Sequence, residues 1–360
     1  MSEHTPTWAT ITARLVRGQE LETHEASWAM DEVMSGNSSA VQLAGFLVSL
    51  QAKGVTSGEL AALADSMVAH ARPVRAPQRS IDIVGTGGDL AHTVNISTMA
   101  SMIIASTGRP VVKHGNRAST SRSGSADVLE ALGVRLDLPV PAVEELVGKI
   151  GMTFLFAQVF HPSMRFAAEA RRGLGIPTVM NILGPITNPA RPQASAVGVA
   201  DPAIAPTVAG VFAARGTSAL VFRGQDGLDE LTVTAPSDVW EVRGGQVRQH
   251  VLDPEQLLGI PRSDRDVLRG GTAQENAEVT RDLFRGVRDG RMGAVRDAVL
   301  LNAAAGVVAF DGIGQEASDG FLDRYVAAFD EARAALDSGR PIDLVRRWAA
   351  ASQEAFAEEA

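Results

Sequence analysis

The chain has 360 residues, 45% of them apolar and 21% charged, which is room for one large or two medium globular domains. Its net charge of −9 argues against non-specific binding to a nucleic-acid backbone, so a polyanionic ligand would need positive groups gathered locally. There is no cysteine, which excludes disulfide and thiolate chemistry and fits a cytoplasmic location.

The first 75 residues predict helices only. Ser38–Lys53 carries Val41, Leu43, Phe46, Leu47 and Leu50 and stops at Gly54, and Thr56-Ser57-Gly58-Glu59 reads as a capping box ahead of Leu60, Leu63 and Met67. Pro73 and Pro77 close this region. Past Ser80 short apolar strands alternate with helices, with strands expected at Ile81–Val84, Pro110–Lys113, Thr153–Phe156, Ala194–Val199 and Ala219–Phe222. That alternation predicts a mostly parallel sheet covered by helices. Phe166–Gly175 reads as helical, and Pro177–Pro192 holds four prolines among small residues. Val239, Glu241 and Arg243 alternate before a Gly244-Gly245 turn, an antiparallel signal. Leu322–Glu359 reads as a solvated packing helix. The run Ala298–Ala309 comes nearest to a membrane span, but it contains Asn302 and is short for a bilayer. Residues 1–14 lack the layout of a signal peptide. No membrane partner is expected.

The most informative stretch is Asp82-Ile83-Val84-Gly85-Thr86-Gly87-Gly88-Asp89. A strand runs into a loop rich in glycine, where backbone N–H groups can approach an anion closely. Leu90 stands where a dinucleotide fingerprint needs its third glycine, and no Gly-Lys-Ser/Thr follows, so neither that motif nor a Walker A is present. Asn95-Ile96-Ser97-Thr98 and Lys113-His114-Gly115-Asn116-Arg117 follow within a short distance. Together these hydroxyls, amides and cations predict a phosphorylated ligand. Lys113, Arg117 and Arg122 supply local positive charge.

These segments resemble anthranilate phosphoribosyltransferases, and the resemblance runs over nearly the whole chain. Its further carriers are Lys113 through Asp127, His161-Pro162-Ser163-Met164, Asn181-Ile182-Leu183-Gly184-Pro185 with Thr187-Asn188-Pro189, and Asp226-Gly227-Leu228-Asp229-Glu230. The resemblance implies a nucleoside phosphorylase/phosphoribosyltransferase-like α/β fold. In it a small all-helical domain (1–75, with 162–193 returning to it) accompanies a larger α/β domain (80–161 and 194–360) that binds phosphoribosyl pyrophosphate (PRPP). The site is expected in a cleft between the two, and a homodimer through the N-terminal helices.

It also implies residue roles. PRPP is expected at Gly85, Gly88, Asp89, Thr93, Asn95, Ile96, Ser97, Thr98, Lys113, His114, Gly115, Asn116, Arg117, Ser119, Thr120, Ser121 and Ser125. Anthranilate is expected at Gly85, Asn116 and Arg171, with Arg172 as the neighbouring choice. Mg²⁺ is expected on Ser97, Asp229 and Glu230, since hard carboxylates beside a polyphosphate suit it. Lys113, Asp229 and Glu230 would stabilise the leaving group, with no acid–base dyad. A helix cap is the second reading of Asp89, His114 reads as structural, and Arg117 reads equally as a surface charge. Gln158 departs from the family, which has proline there. A pyrimidine-nucleoside phosphorylase and a nucleic-acid-binding relative of the same fold are the alternatives.

Overall fold

The computed structural model describes residues 5–118 and 122–357, which fall into two compact units. One comprises Met1–Pro73 and Ala157–Pro189, the other Val74–Phe156 and Ala190–Ala360. The chain changes unit a few residues away from each boundary expected from sequence.

Helices α1 (Trp8–Val16), α2 (Thr23–Met34), α3 (Ala40–Lys53) and α4 (Ser57–Ala69) open the chain. The capping box at α4 is present: the Thr56 hydroxyl accepts the Glu59 N–H, and the Glu59 carboxylate takes the Thr56 N–H at 2.9 Å. The same carboxylate accepts from the Leu21 N–H at 2.8 Å and from Lys53 at 2.8 Å, so one buried acid joins three segments. Leu43, Phe46, Leu47, Leu50, Leu60 and Leu63 are buried, whereas Val41 is 82% exposed. Trp8 sits against Trp28 and Phe46, ring centroids 5.3 and 5.8 Å apart.

The other unit begins with β1 (Ile81–Gly85), α5 (Ile96–Ser106), β2 (Val111–Gly115), α6 (Ser125–Ala131), α7 (Val140–Ile150) and β3 (Met152–Phe156). The chain then returns to the helical unit as α8 (Ala157–Phe160), α9 (Ala168–Leu174) and α10 (Val179–Ile182). Arg72 N–H donates to the Phe160 carbonyl at 2.8 Å, and the Phe166 ring lies where a side chain on Gly36 would go. Gln158 is exposed on α8.

The α/β unit resumes with β4 (Ala194–Gly198), α11 (Ala205–Arg215), β5 (Ser218–Gly224), β6 (Ser237–Arg243), β7 (Gln246–Leu252) and α12 (Pro254–Leu258). It ends with α13 (Ala273–Phe284), α14 (Met292–Asp311), α15 (Phe321–Asp337) and α16 (Arg340–Ala357). The sheet runs β3-β2-β1-β4-β5-β6-β7, with the first five strands parallel and the β5–β6 and β6–β7 pairs antiparallel.

Two expectations need correcting. The apolar run at 298–309 belongs to a helix of 20 residues, long and apolar enough to span a bilayer, but it is buried against α5, α15 and the sheet as the core of this unit. The C-terminal stretch is two helices, because Gly339 turns the chain with φ +76°. It is not merely solvated: Tyr325 and Trp348 are buried, and the Tyr325 hydroxyl donates to the Leu301 carbonyl at 2.7 Å.

Candidate active site

In the strand order, β1 has β2 on one side and β4 on the other, and the chain reverses its direction of travel across the sheet there. Such switch points open a crevice at the carboxyl ends of the strands. Both strands end in glycine, Gly85 paired in register with Gly198. A side chain on Gly85 would overlap the Asp229 carboxylate, and one on Gly198 the Asp229 carbonyl. The two bare strand ends therefore let the loop after β5 cross the top of the sheet. Asp226 shapes that loop, accepting from Leu228 N–H at 3.1 Å and from Thr232 Oγ1 at 2.9 Å.

Asp229 Oδ2 accepts the Gly87 N–H at 2.7 Å, and Thr86 N–H donates to the Gly198 carbonyl at 2.9 Å. Two of the backbone donors expected to cradle a phosphate are thus already used. Gly87 and Gly88 have φ of +68° and +86°, a backbone only glycine adopts freely, and Leu90 and His92 continue at +57° and +52°. Asp89 Oδ1 accepts from Ala91 N–H at 3.0 Å, an Asx turn rather than a helix cap. Its Oδ2 is buried, and no donor reaches it among the described residues.

Burial and the nearby Asp89 charge push the Asp229 carboxyl up to about 7. Glu230 is raised as well, by burial first and then by Asp229, although the Ser97 N–H and Lys113 favour its charged form. Lys113 lies within β2, 1% exposed, its ammonium donating to the Ile83 carbonyl and to Ser97 Oγ at 3.3 Å. Burial lowers its pKa against the pull of Asp82 and Glu230. In this structure Lys113 balances buried acids. Asp229, Glu230, Asp89, Ser97, Lys113 and Gly85 thus come together.

The other candidates are held in varied ways within their own units. Asn95 Nδ2 donates to the Ser123 carbonyl at 3.1 Å and Asn95 Oδ1 accepts from Asn276 at 2.7 Å, so its side chain ties loops together. Thr98 and the Ile96 side chain point into the core, leaving half-buried Thr93 and Ser97 at the surface of the helix start. His114 is buried, its N–H donating to Asp82 at 3.2 Å, and a side chain on Gly115 would strike the Phe154 ring. Asn116 is exposed, accepting the Arg117 N–H at 2.8 Å, and half-buried Ser125 begins α6. Arg117 grips Glu130 at 2.6 and 2.8 Å and Asp127 at 3.0 Å, which raises its pKa further. Ser119, Thr120 and Ser121 lie outside the described residues. Arg171, on α9 of the helical unit, is half-buried without an acidic partner among the described residues, and burial alone lowers its pKa. Arg172 is exposed. His161 is buried, desolvation lowers its pKa, and its Nε2 lies 2.9 Å from the Thr187 carbonyl.

Three contributors escape a linear reading: Gly198, Asn276 and Asp127, whose carboxylate also takes the Ala118 and Gly124 N–H groups. Gly198 ends an apolar strand as Gly85 does, a signal available in the sequence. Chemically, the group joins neighbouring buried acids to a lysine, backbone N–H groups and a serine hydroxyl.

Comparison with known proteins identifies the family and the fold. The a/b domain of the glycosyl transferase family matches residues 77–341, and that family's helical bundle domain matches residues 9–71. An anthranilate phosphoribosyltransferase of Arthrobacter sp. (strain FB24) is 55% identical over 344 residues, covering 96% of each chain. The chain belongs to the anthranilate phosphoribosyltransferase family. The crystal structure of the Thermus thermophilus enzyme superposes with a TM-score of 0.86 at 40% identity, over 95% of this chain and 99% of that one. The Saccharomyces cerevisiae enzyme, in complex with PRPP and Mg, gives 0.84 at 25% identity, over 96% and 98%. Membership decides among the sequence-based alternatives in favour of the transferase.

Proposed function

We propose that the chain transfers the 5-phosphoribosyl group of PRPP to the amine of anthranilate, releasing pyrophosphate, as its relatives' name and the yeast complex suggest. The observation that carries the residue assignment is the seating of Asp229 over two bare strand ends, with Glu230 next to it and Ser97, Lys113 and Asp89 nearby. The bond from ribose C1 to pyrophosphate oxygen breaks, C1 gains oxocarbenium character, and the anthranilate nitrogen closes on it and loses a proton. Catalysis then lies in neutralising the leaving group and holding a weak nucleophile in line.

Among the described residues no three acidic, imidazole or thiol groups form a ready-made metal cage. A cation that keeps waters and takes substrate phosphate oxygens needs only one or two carboxylates. Asp229 and Glu230, buried beside the donor-less Asp89 Oδ2, fit it: each is uncomfortable as an isolated anion there. Ser97 Oγ, which accepts from Lys113 at 3.3 Å, joins them in this reading. Mg²⁺ bound there supplies positive charge to the departing pyrophosphate.

Gly88 and Asp89 N–H with Thr93 and Ser97 hydroxyls then donate to PRPP, with Asp89 also accepting from ribose hydroxyls. Lys113 keeps the neighbouring acids tolerable. Arg171 receives the anthranilate carboxylate, a planar fork matched to two oxygens. A cytoplasmic homodimer belongs to the same reading, supported for the dimer by exposed Val41 and Val48 on α3.

Purified protein given PRPP, anthranilate and Mg²⁺ should consume anthranilate fluorescence and release one pyrophosphate per turnover. Well-folded protein that leaves anthranilate untouched, yet phosphorolyses thymidine or uridine, would overturn the proposal.

A further inference from the structure

Helix α14 carries one amide deep in its apolar run. Asn302 is 0% exposed, flanked along the helix by buried Val299, Leu301 and Ala303. Its Oδ1 accepts the Leu231 N–H at 3.1 Å, and its Nδ2 donates to the Leu231 carbonyl at 2.8 Å and to the Ala298 carbonyl at 2.9 Å. Both ends of the amide are used. Helix formation does not ask for asparagine here, since alanine is the better helix former, and burying an amide costs stability unless its bonds are made. Leu231 lies outside every strand, so its backbone N–H and carbonyl have no ladder partner and must be satisfied some other way. One side chain meets both needs.

The residue so held directly follows Glu230. Its neighbours are fixed from other directions: Asp229 by the Gly87 N–H and by close passage over Gly85 and Gly198, Glu230 by the Ser97 N–H. Asn302 supplies the anchor from beneath.

We propose that Asn302 is a positioning residue for cation binding, acting through the Leu231 backbone to set the place of the Asp229–Glu230 pair over the strand ends. The inference rests on the assignment of that pair to Mg²⁺, and the experiment separates the two. Turnover is titrated with Mg²⁺ at saturating substrates for wild type, Asn302→Ala, Asn302→Thr, Asn302→Asp, Val299→Ala and Asp229→Ala. Asn302→Ala should raise the half-saturating Mg²⁺ concentration on the order of 10- to 100-fold, as loss of a group that orients metal ligands does. At saturating Mg²⁺ its KM for anthranilate should stay that of wild type. Asn302→Thr, whose hydroxyl can bond the Ala298 carbonyl but not both groups of Leu231, should fold and show the same shift. In Asn302→Asp desolvation keeps the carboxyl protonated, leaving one donor and one acceptor for Leu231, so most of the Mg²⁺ response should return. Val299→Ala loosens the same helix and should lower Tm without moving the Mg²⁺ midpoint. An unshifted midpoint in Asn302→Thr, or an equal shift in Val299→Ala, overturns the positioning role. An unshifted Asp229→Ala overturns the metal assignment and the inference with it.

Discussion

Arg171 and Asp229 show how far single residues carry the chemistry. Arg171 is a half-buried guanidinium with no acidic partner among the described residues, which is what motivates its proposed role toward the anthranilate carboxylate. Arg171→Ala should raise the KM for anthranilate strongly, the loss of a bidentate charge-assisted pair being worth roughly 1.5–3 kcal/mol. Arg172→Ala should leave that KM alone; steady-state kinetics of both variants decide which face of α9 is used. Asp229 makes a prediction about pH. Its carboxyl titrates near 7 in the fold and near 4 when unfolded, so between those values the folded state holds the extra proton. Stability from this group therefore falls as pH rises through that window. Mg²⁺ competes with the same proton, so the half-saturating Mg²⁺ concentration should fall as pH rises from about 6 to about 8, flattening above about 7. Asp229→Asn should reduce the slope, leaving only what the raised Glu230 carboxyl contributes. Replacing Asp229 and Glu230 together by alanine should cut turnover on the order of 10²-fold, measured at saturating PRPP.

At the scale of elements, strand ends matter more than strand middles. Gly198→Ala would drive a methyl into the Asp229 carbonyl, which cannot yield without moving the acidic loop. Turnover should collapse while the sheet still forms, as circular dichroism would report. Gly306→Ala on α14 meets side-chain atoms only, Ile104 first and then the end of Ile81, so it should cost about 1–3 kcal/mol of stability with kcat unchanged. What was legible follows the same division. Short apolar runs announced the parallel strands, and Gly244-Gly245 announced the hairpin between β6 and β7. The extension of β2 through His114 and Gly115 was hidden because polar residues there read as loop, although burial makes them strand. The glycine loop and the Asp229–Glu230 pair stood out by residue type. Asn276 and Asn302 did not, since their partners lie 181 and 71 positions away and an amide in a helix carries no local mark of its contact.

For the whole molecule, discontinuity is the constraint. The helical unit is made of Met1–Pro73 and Ala157–Pro189, so neither segment completes it alone. A truncated chain beginning at Val74 would keep Val179, Met180 and Leu183, all buried in the full chain, without the first four helices. It should aggregate or lose anthranilate binding, as light scattering and ligand titration would show, even with the sheet intact.

The placement of the indole rings has a spectroscopic consequence. Trp8 and Trp28 belong to the helical unit, and the other two tryptophans, Trp240 and Trp348, to the α/β unit. Replacing Trp240 and Trp348 by phenylalanine leaves an emission signal from the helical unit alone, and the reciprocal pair reports only the other. Denaturant titrations of the two variants would give one midpoint if the units melt together and two if they do not. The protein thus carries, without any attached dye, a separate lamp in each half.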